Sequence, residues 1–69
     1  MVAYRDCNGH LVCMADARTG IVEIQHKDQA LKMTVPVGDS FTVTLRDTLT
    51  VMTRISTMAF DVKSHPRAT

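Results

Sequence analysis

An alternation of apolar and polar residues with a period of two runs through the middle of this sequence. Apolar residues take every second position over 31–35 and over 41–45, and Leu49 and Val51 continue the pattern. Successive side chains of a β-strand point to opposite faces, so each run presents one apolar and one mostly polar face. Val, Thr and Phe, which pack well on a pleated surface, are common in these runs. The pattern therefore predicts β-strands.

Turn-forming residues separate these runs at short intervals. Asn8-Gly9 is the strongest signal, because a two-residue type I′ turn needs positive φ at both positions. The other signals are 17–20, 27–29, Gly38-Asp39, Asp47-Thr48 and Ser56-Thr57. Strands separated in this way are typical of small all-β domains. We therefore predict an all-β fold, a small antiparallel meander of five to seven short strands that closes into a barrel or rolled sheet.

The length of the chain limits it to one small domain. Its 69 residues leave no room for a second core. We predict a single β domain over residues 1–62. Residues 63–69 contain Lys63, His65 and Arg67 and no acidic residue, and we predict that they form a flexible basic C-terminal tail.

The parity of the apolar positions also predicts which side chains form the core. The residues predicted in the core are Tyr4, Leu11, Val22, Ile24, Leu31, Met33, Val35, Phe41, Val43, Leu45, Leu49, Val51, Phe60 and Val62. The opposite parity places Met14 and Met52 on an outward face. Exposed methionines beside Val2 and Val12 would form an apolar patch suited to self-association.

Chemically versatile residues concentrate in one stretch, "RDCNGHLVC" at positions 5–13. If Asn8-Gly9 is a two-residue hairpin loop, then Cys7 faces His10 and Tyr4 faces Cys13. In this register Cys13 points into the core as a small hydrophobic residue, and Cys7 points away from it. Two thiols on opposite faces of a hairpin do not reach disulfide geometry, so we expect no disulfide.

Part of a zinc-ribbon spacing is present in the same region. Cys7 and His10 stand in C-x2-H relation, and His26 lies 16 positions beyond His10, which is within the range of ribbon ligands. Gln29 would have to be the fourth ligand and is a poor one. Two interpretations stay open. We predict a hairpin turn without metal or other cofactor, and the alternative is a degenerate zinc site at Cys7, His10 and His26.

The sequence contains no motif for catalysis or phosphate binding. It lacks G-x-x-x-x-G-K-[ST] and G-x-G-x-x-G, and its serines have no nucleophile elbow. We therefore expect no catalytic residues and no enzyme activity. A formal charge of +1 and only three aromatic residues are also unlike the basic, base-stacking surfaces that bind nucleic acids.

A cytoplasmic location without a membrane partner is expected by elimination. The first fifteen residues include Arg5, Asp6 and His10, where a secretory signal would be apolar. No stretch approaches the roughly 18–20 apolar residues that cross a bilayer. Two cysteines alone do not form the disulfide framework of a secreted domain.

These observations lead to two hypotheses about function. We predict a small non-enzymatic module that acts through contacts with a protein partner or through self-association, and it should have an exposed apolar patch or an unpaired strand edge. The alternative is a regulatory nucleic-acid-binding module with a degenerate zinc-ribbon-like core. It requires metal at the three candidate ligands and a shared face for four basic residues: Arg5, Lys27, Lys32 and Arg54.

Overall fold

Seven β-strands, each antiparallel to its neighbours, make up the part of the chain that the structure describes. The computed structural model describes residues 1–67, except for the side chain of His26. The strands are β1 (Val2–Arg5), β2 (Leu11–Asp16), β3 (Ile21–His26), β4 (Gln29–Thr34), β5 (Ser40–Thr44), β6 (Thr48–Arg54) and β7 (Phe60–Pro66). This part of the chain has no helix, and therefore none long and apolar enough to cross a membrane. The all-β prediction is confirmed.

The strands divide into two sheets. β1 to β4 form the first sheet in chain order, and β5 to β7 form the second. Between β4 and β5 the N–H of Val35 donates to the Gly20 carbonyl in the β2–β3 turn, whereas the N–H of Gly38 donates to the Arg54 carbonyl at the end of β6. Pro36, between them, has no N–H to continue a ladder. Because this segment crosses between the sheets, β4 and β5 do not pair, and no closed barrel is found among the described residues.

Side chains from both sheets meet in one core. The Cys13 sulfur in β2 lies 3.3 Å from the Met52 sulfur in β6. The rings of Tyr4 in β1 and Phe60 in β7 pack edge to face with centroids 5.9 Å apart. The buried apolar residues are Val12, Cys13, Ala15, Val22, Val35, Met52 and Phe60. Half-buried residues packed against them are Tyr4, Ala17, Ile24, Met33, Phe41, Val43, Leu45 and Val62. All but four of the predicted core residues belong to these two groups.

The prediction of the core is wrong for β6, the central strand of the second sheet. Burial alternates along β6 in the opposite phase to the one predicted. Its buried residues are Thr48, Thr50, Met52 and Arg54. Leu49 and Val51 are half-buried on the other face, and Met52, predicted to point outward, is completely buried. Thr48 and Arg54 hydrogen-bond to the first sheet, and these bonds decide which face of the strand points inward.

Two leucines of the predicted core are also exposed. Leu11 is 48% exposed and Leu31 is 57% exposed. A β-bulge lies between the Tyr4–Cys13 pair and the Arg5–Leu11 pair of the first hairpin. The strict alternation of inward and outward side chains used for the prediction therefore does not extend to Leu11. Leu31 lies in β4, an edge strand of the first sheet, where less of each side chain is covered by neighbours.

The last strand extends beyond the predicted end of the domain at residue 62. β7 continues to Pro66, which lies opposite Thr48 in β6. The N–H of Arg67 then donates to the Asp47 carbonyl at 2.9 Å. Residues 63–66, assigned to a tail by the sequence, therefore complete the ladder along the seven-residue strand β6.

A buried arginine fastens the two sheets together at one end of β6. The Nε of Arg54 donates to the Ala17 carbonyl at 2.9 Å, Nη1 to the Val35 carbonyl at 3.0 Å and Nη2 to the Arg18 carbonyl at 3.1 Å. The rigid fork of donors on a guanidinium suits such an arrangement. Three carbonyl dipoles thus solvate this buried cation in place of water.

Replacement of Arg54 by methionine tests the contribution of these bonds. Arg54→Met keeps most of the side-chain volume but removes all the donors, and it should lower the free energy of unfolding by about 3 kcal/mol, given about 1.5–3 kcal/mol for a hydrogen bond to a charged group. Urea denaturation measures the change. Arg18→Met alters an exposed arginine in the same region, and it should change stability by less than about 0.5 kcal/mol. Equal effects of the two substitutions would contradict the conclusion that the hydrogen bonds of Arg54 stabilise the contact between the sheets.

Gly20 provides a second test of the same contact. It has a φ of +81°, and a Cβ added there would overlap the Val35 carbonyl and lie 2.6 Å from Arg54 Nη1. Gly9 has a φ of +83°, with nothing within 4 Å of an added Cβ. Gly9→Ala should cost only the left-handed backbone strain, about 1–2 kcal/mol. Gly20→Ala should cost about 1–3 kcal/mol more because it overpacks the site, measured by the same denaturation.

Candidate functional site

The stretch "RDCNGHLVC" contains a loop that is built around one carboxylate. Asp6 Oδ1 accepts the backbone N–H groups of Asn8 and His10, both at 2.9 Å. Asp6 Oδ2 accepts the hydroxyl hydrogen of Thr48 in β6 at 2.8 Å. The side chain of Asp6 therefore organises its own loop and also ties that loop to the second sheet. We call residues 6–10 the Asp6 loop.

The Asp6 loop is longer than the two-residue turn predicted at Asn8-Gly9. Tyr4 lies opposite Cys13 as predicted, but a β-bulge at the end of β1 then places Arg5 opposite Leu11. Gly9 has a positive φ but Asn8 does not, so the turn is not of type I′. The side-chain hydrogen bonds of the preceding aspartate hold the longer loop instead.

Asp6 is buried and charged. Burial acts to raise the pKa of its carboxyl, but the hydrogen bonds from Thr48 and from the N–H groups of His10 and Asn8 outweigh it, with a further contribution from the His10 charge. The pKa of Asp6 is therefore lower than its ordinary value. His10 Nδ1 lies 3.9 Å from Asp6 Oδ2, and the imidazole itself is 70% exposed. At neutral pH an ionised carboxylate thus joins the loop to β6.

Hydroxyl groups extend this polar contact across the inner face of the second sheet. The N–H of Cys7 donates to Ser64 Oγ in β7 at 3.0 Å. Ser64 Oγ also shares a hydrogen bond of 3.0 Å with Thr50 Oγ1 in β6. In the described part of the chain every buried side-chain nitrogen or oxygen has a partner. Full pairing of this kind is what a structural polar network requires.

The structure describes the side chains of two of the three candidate zinc ligands. Cys7 is exposed, and His10 is largely exposed at the end of the Asp6 loop. The side chain of His26 lies outside the described residues, although its backbone pairs with Gln29. Among residues 1–67 without that side chain, no three His, Cys, Asp or Glu side chains are close enough to hold a metal ion. The zinc site, which needs His26, stays a hypothesis from sequence.

The two cysteines occupy different environments and are both free. Burial raises the pKa of the Cys13 thiol to about 11. Cys13 is therefore protonated at neutral pH, which allows its thiol to donate to the Met52 thioether. Cys7 is exposed, as the predicted hairpin register implied. The Cys13 thiol is thus a packing group and not a nucleophile.

The basic residues required by the nucleic-acid hypothesis are Arg5, Lys27, Lys32 and Arg54. Arg54 is buried and donates to three backbone carbonyls. Arg5 Nη1 donates to the Gly9 carbonyl at 3.0 Å, and Lys32 Nζ lies 4.0 Å from Glu23 Oε1. Arg54 therefore does not contribute to an exposed basic face.

An apolar groove lies where the two sheets part, between β5 on one side and β2 and β3 on the other. It has a volume of about 370 Å³. Five apolar residues line it, Leu11, Val12, Ile24, Val43 and Leu45, together with the polar residues Gln25, Thr44 and Arg46. An adjoining depression of about 550 Å³ shares Ile24 and extends to Leu31 in β4. We call these two depressions, which share Ile24, the groove. Leu11 and Leu31, absent from the core, both contribute to it.

Sequence reasoning missed the two charged residues that hold the sheets together. A signal for Asp6 is present, because aspartate often bonds the backbone N–H two residues later, and here that residue is Asn8. No local signal identifies the bond to Thr48, which lies 42 positions away. The same holds for Arg54 and its three carbonyl partners, since none of them is near it in the sequence.

Comparison with known proteins gives no match to a protein-family model, to a curated protein or to a solved structure. The function of this chain is therefore argued from its own residues.

The lowered pKa of Asp6 predicts how stability depends on pH. A carboxyl with a lower pKa in the folded state stabilises the fold above its unfolded pKa, near 3.9, and this stabilisation is lost as the pH falls through the folded value. Asp6→Asn should therefore be less stable than the parent at pH 7. The difference should shrink below about pH 4, where the parent carboxyl takes up a proton.

Thermal unfolding followed by circular dichroism between pH 2 and 7 measures this difference. Asp28→Asn, which changes an exposed aspartate in the β3–β4 turn, is the matched control and should follow the parent over the whole range. A stability difference for Asp6→Asn that did not depend on pH would show that the carboxylate charge is not what holds the loop.

Proposed function

We propose that the protein is a small non-enzymatic β module that acts through contacts with another protein chain. The observation that carries the proposal is the groove, where exposed Leu11 and Leu31 lie on either side of half-buried Ile24. Soluble domains rarely expose contiguous apolar surface, and such surface marks sites of contact with other proteins.

The position of the groove supports a protein partner over a small substrate. Its borders include β4 and β5, and each is an edge strand of its sheet. An edge strand presents unpaired N–H and C=O groups, which suit an extended backbone, while the groove accommodates its apolar side chains. The sequence also predicts a rolled sheet. Pairing of β4 with β5 would close the roll and cover the groove, so the proposed contact requires these two edges to stay apart.

The chemistry of the remaining polar groups supports the non-enzymatic part of the proposal. The Ser64 hydroxyl is engaged by Cys7 and Thr50, and the Asp6 carboxylate by Thr48. Among the side chains that the structure describes, Ser64 has no hydrogen bond to a histidine, and His10 Nδ1 lies 3.9 Å from Asp6 Oδ2, so Ser64 is not activated as in a catalytic triad. A cytoplasmic location belongs to the same proposal, and the exposed free thiol of Cys7 supports it, because reducing compartments maintain such thiols.

A photo-crosslinking amino acid at single positions tests the proposal. Placed at Leu11 in the groove, it should form crosslinks to one defined protein, either a second copy or another chain, when the purified protein is irradiated alone or in extract of its source cells. Placed at Met58, which is 88% exposed in the β6–β7 loop, it should not. Leu31→Lys, a charge on the rim, should weaken the crosslink from Leu11. Equal crosslinking at both positions, or none, would overturn the proposal.

A further inference from the structure

Four strand edges are open in residues 1–67, those of β1, β4, β5 and β7. Three of them carry features that discourage pairing with another strand. β1 has only four residues and a bulge beside Arg5, and β4 has Lys32 near its centre. β7 contains an acidic residue, a basic residue and a proline. β5, with the sequence SFTVT, has no charge, no proline and no bulge. It is the one edge in this part of the chain without protection.

The residues of β5 are complementary to a second copy of the same strand. An antiparallel ladder that pairs all five residues places Thr42 opposite Thr42 of the second copy. Phe41 then lies opposite Val43, and Ser40 lies opposite Thr44. Pairs of hydroxyl residues, and pairs of an aromatic with a β-branched residue, are favourable across strands, and no like charges meet.

Charges at the two ends of β5 also favour an antiparallel pair of two copies. Asp39 precedes the strand and Arg46 follows it by two residues. Both side chains belong to exposed residues, and among the described residues neither forms an ion pair within its own chain. In an antiparallel pair the start of one strand lies beside the end of the other. In the ladder that pairs Thr42 with Thr42, Asp39 lies opposite Leu45 of the second copy and one position from its Arg46, so opposite charges lie at each end of the paired strands.

We propose that the partner is a second copy of this chain, and that two copies pair antiparallel along β5 about a twofold axis at Thr42. This inference rests on the proposed function and names the partner for it. Pairing joins the two three-stranded sheets into one sheet of six strands. It also brings the two grooves beside each other, because Val43 and Leu45 of each copy border them. Such a twofold interface closes at two copies and leaves no further β5 edge.

A charge-swap experiment at Thr42 tests the inference, because a residue on the twofold axis meets itself. Thr42 is exposed on the outer face of β5, so the substitution does not enter the core. Thr42→Lys opposes two ammonium groups and should weaken self-association by at least about tenfold, measured by sedimentation velocity. Thr42→Glu should do the same. An equimolar mixture of the two, with one ¹⁵N-labelled, should restore a dimer of one copy each, identified by native mass spectrometry.

Thr34→Lys provides the matched control, since it puts the same charge on an exposed residue of the other sheet's edge strand β4. It should leave the dimer unchanged, and circular dichroism confirms that each variant is folded. A parent protein that stays monomeric up to millimolar concentration overturns the inference, and so does a dimer that Thr42→Lys leaves intact. If either result is found, a crosslink from Leu11 to a different protein still supports the proposed function. Absence of any crosslink from Leu11 then overturns both the proposed function and the pairing of two copies.

Discussion

The buried face of β6 determines how the two sheets meet. At one end Thr48 donates to the Asp6 carboxylate, and at the other end Arg54 holds three carbonyls of the first sheet and its connections. Between them Met52 accepts the Cys13 thiol. A chain of this length buries only a small core, so apolar contacts alone leave the relative placement of two sheets loosely specified. Fully paired polar groups are directional and select one arrangement.

This arrangement explains what the sequence predicts and where the prediction is wrong. Alternation locates the strands because the period of two follows from backbone geometry alone. It does not identify the inward face of β6, where Leu49 and Val51 have one parity and Thr48 and Thr50 the other. Local hydropathy favours the leucine and valine. The deciding bonds join Arg54 to carbonyls 37 and 19 positions away, and no pattern within a strand contains that information.

The candidate site shows the same division between local and distant information. Asn8-Gly9 marks the position of the loop, but Asp6 sets its length and turns its own carboxylate inward to Thr48. Cys7 and His10 are both exposed on this loop. The alternation pattern assigns Leu11 and Leu31 to the core, but in the structure both side chains lie outside it. Their exposure in the groove is the main observation that supports the proposed contact surface.

An open edge beside that surface is stable only if the unpaired strand tolerates water. β5 satisfies this condition because its outer face consists of the exposed polar residues Ser40, Thr42 and Thr44, and the Ser40 hydroxyl shares a hydrogen bond of 2.8 Å with Thr53 Oγ1. Valine or isoleucine at the same positions would make a long apolar edge of the kind that aggregates. A lysine there would discourage pairing, as Lys32 does on β4. A hydroxyl face without charge, with Asp39 and Arg46 at its ends, therefore suits both an unpaired edge strand and the proposed antiparallel pairing of two copies.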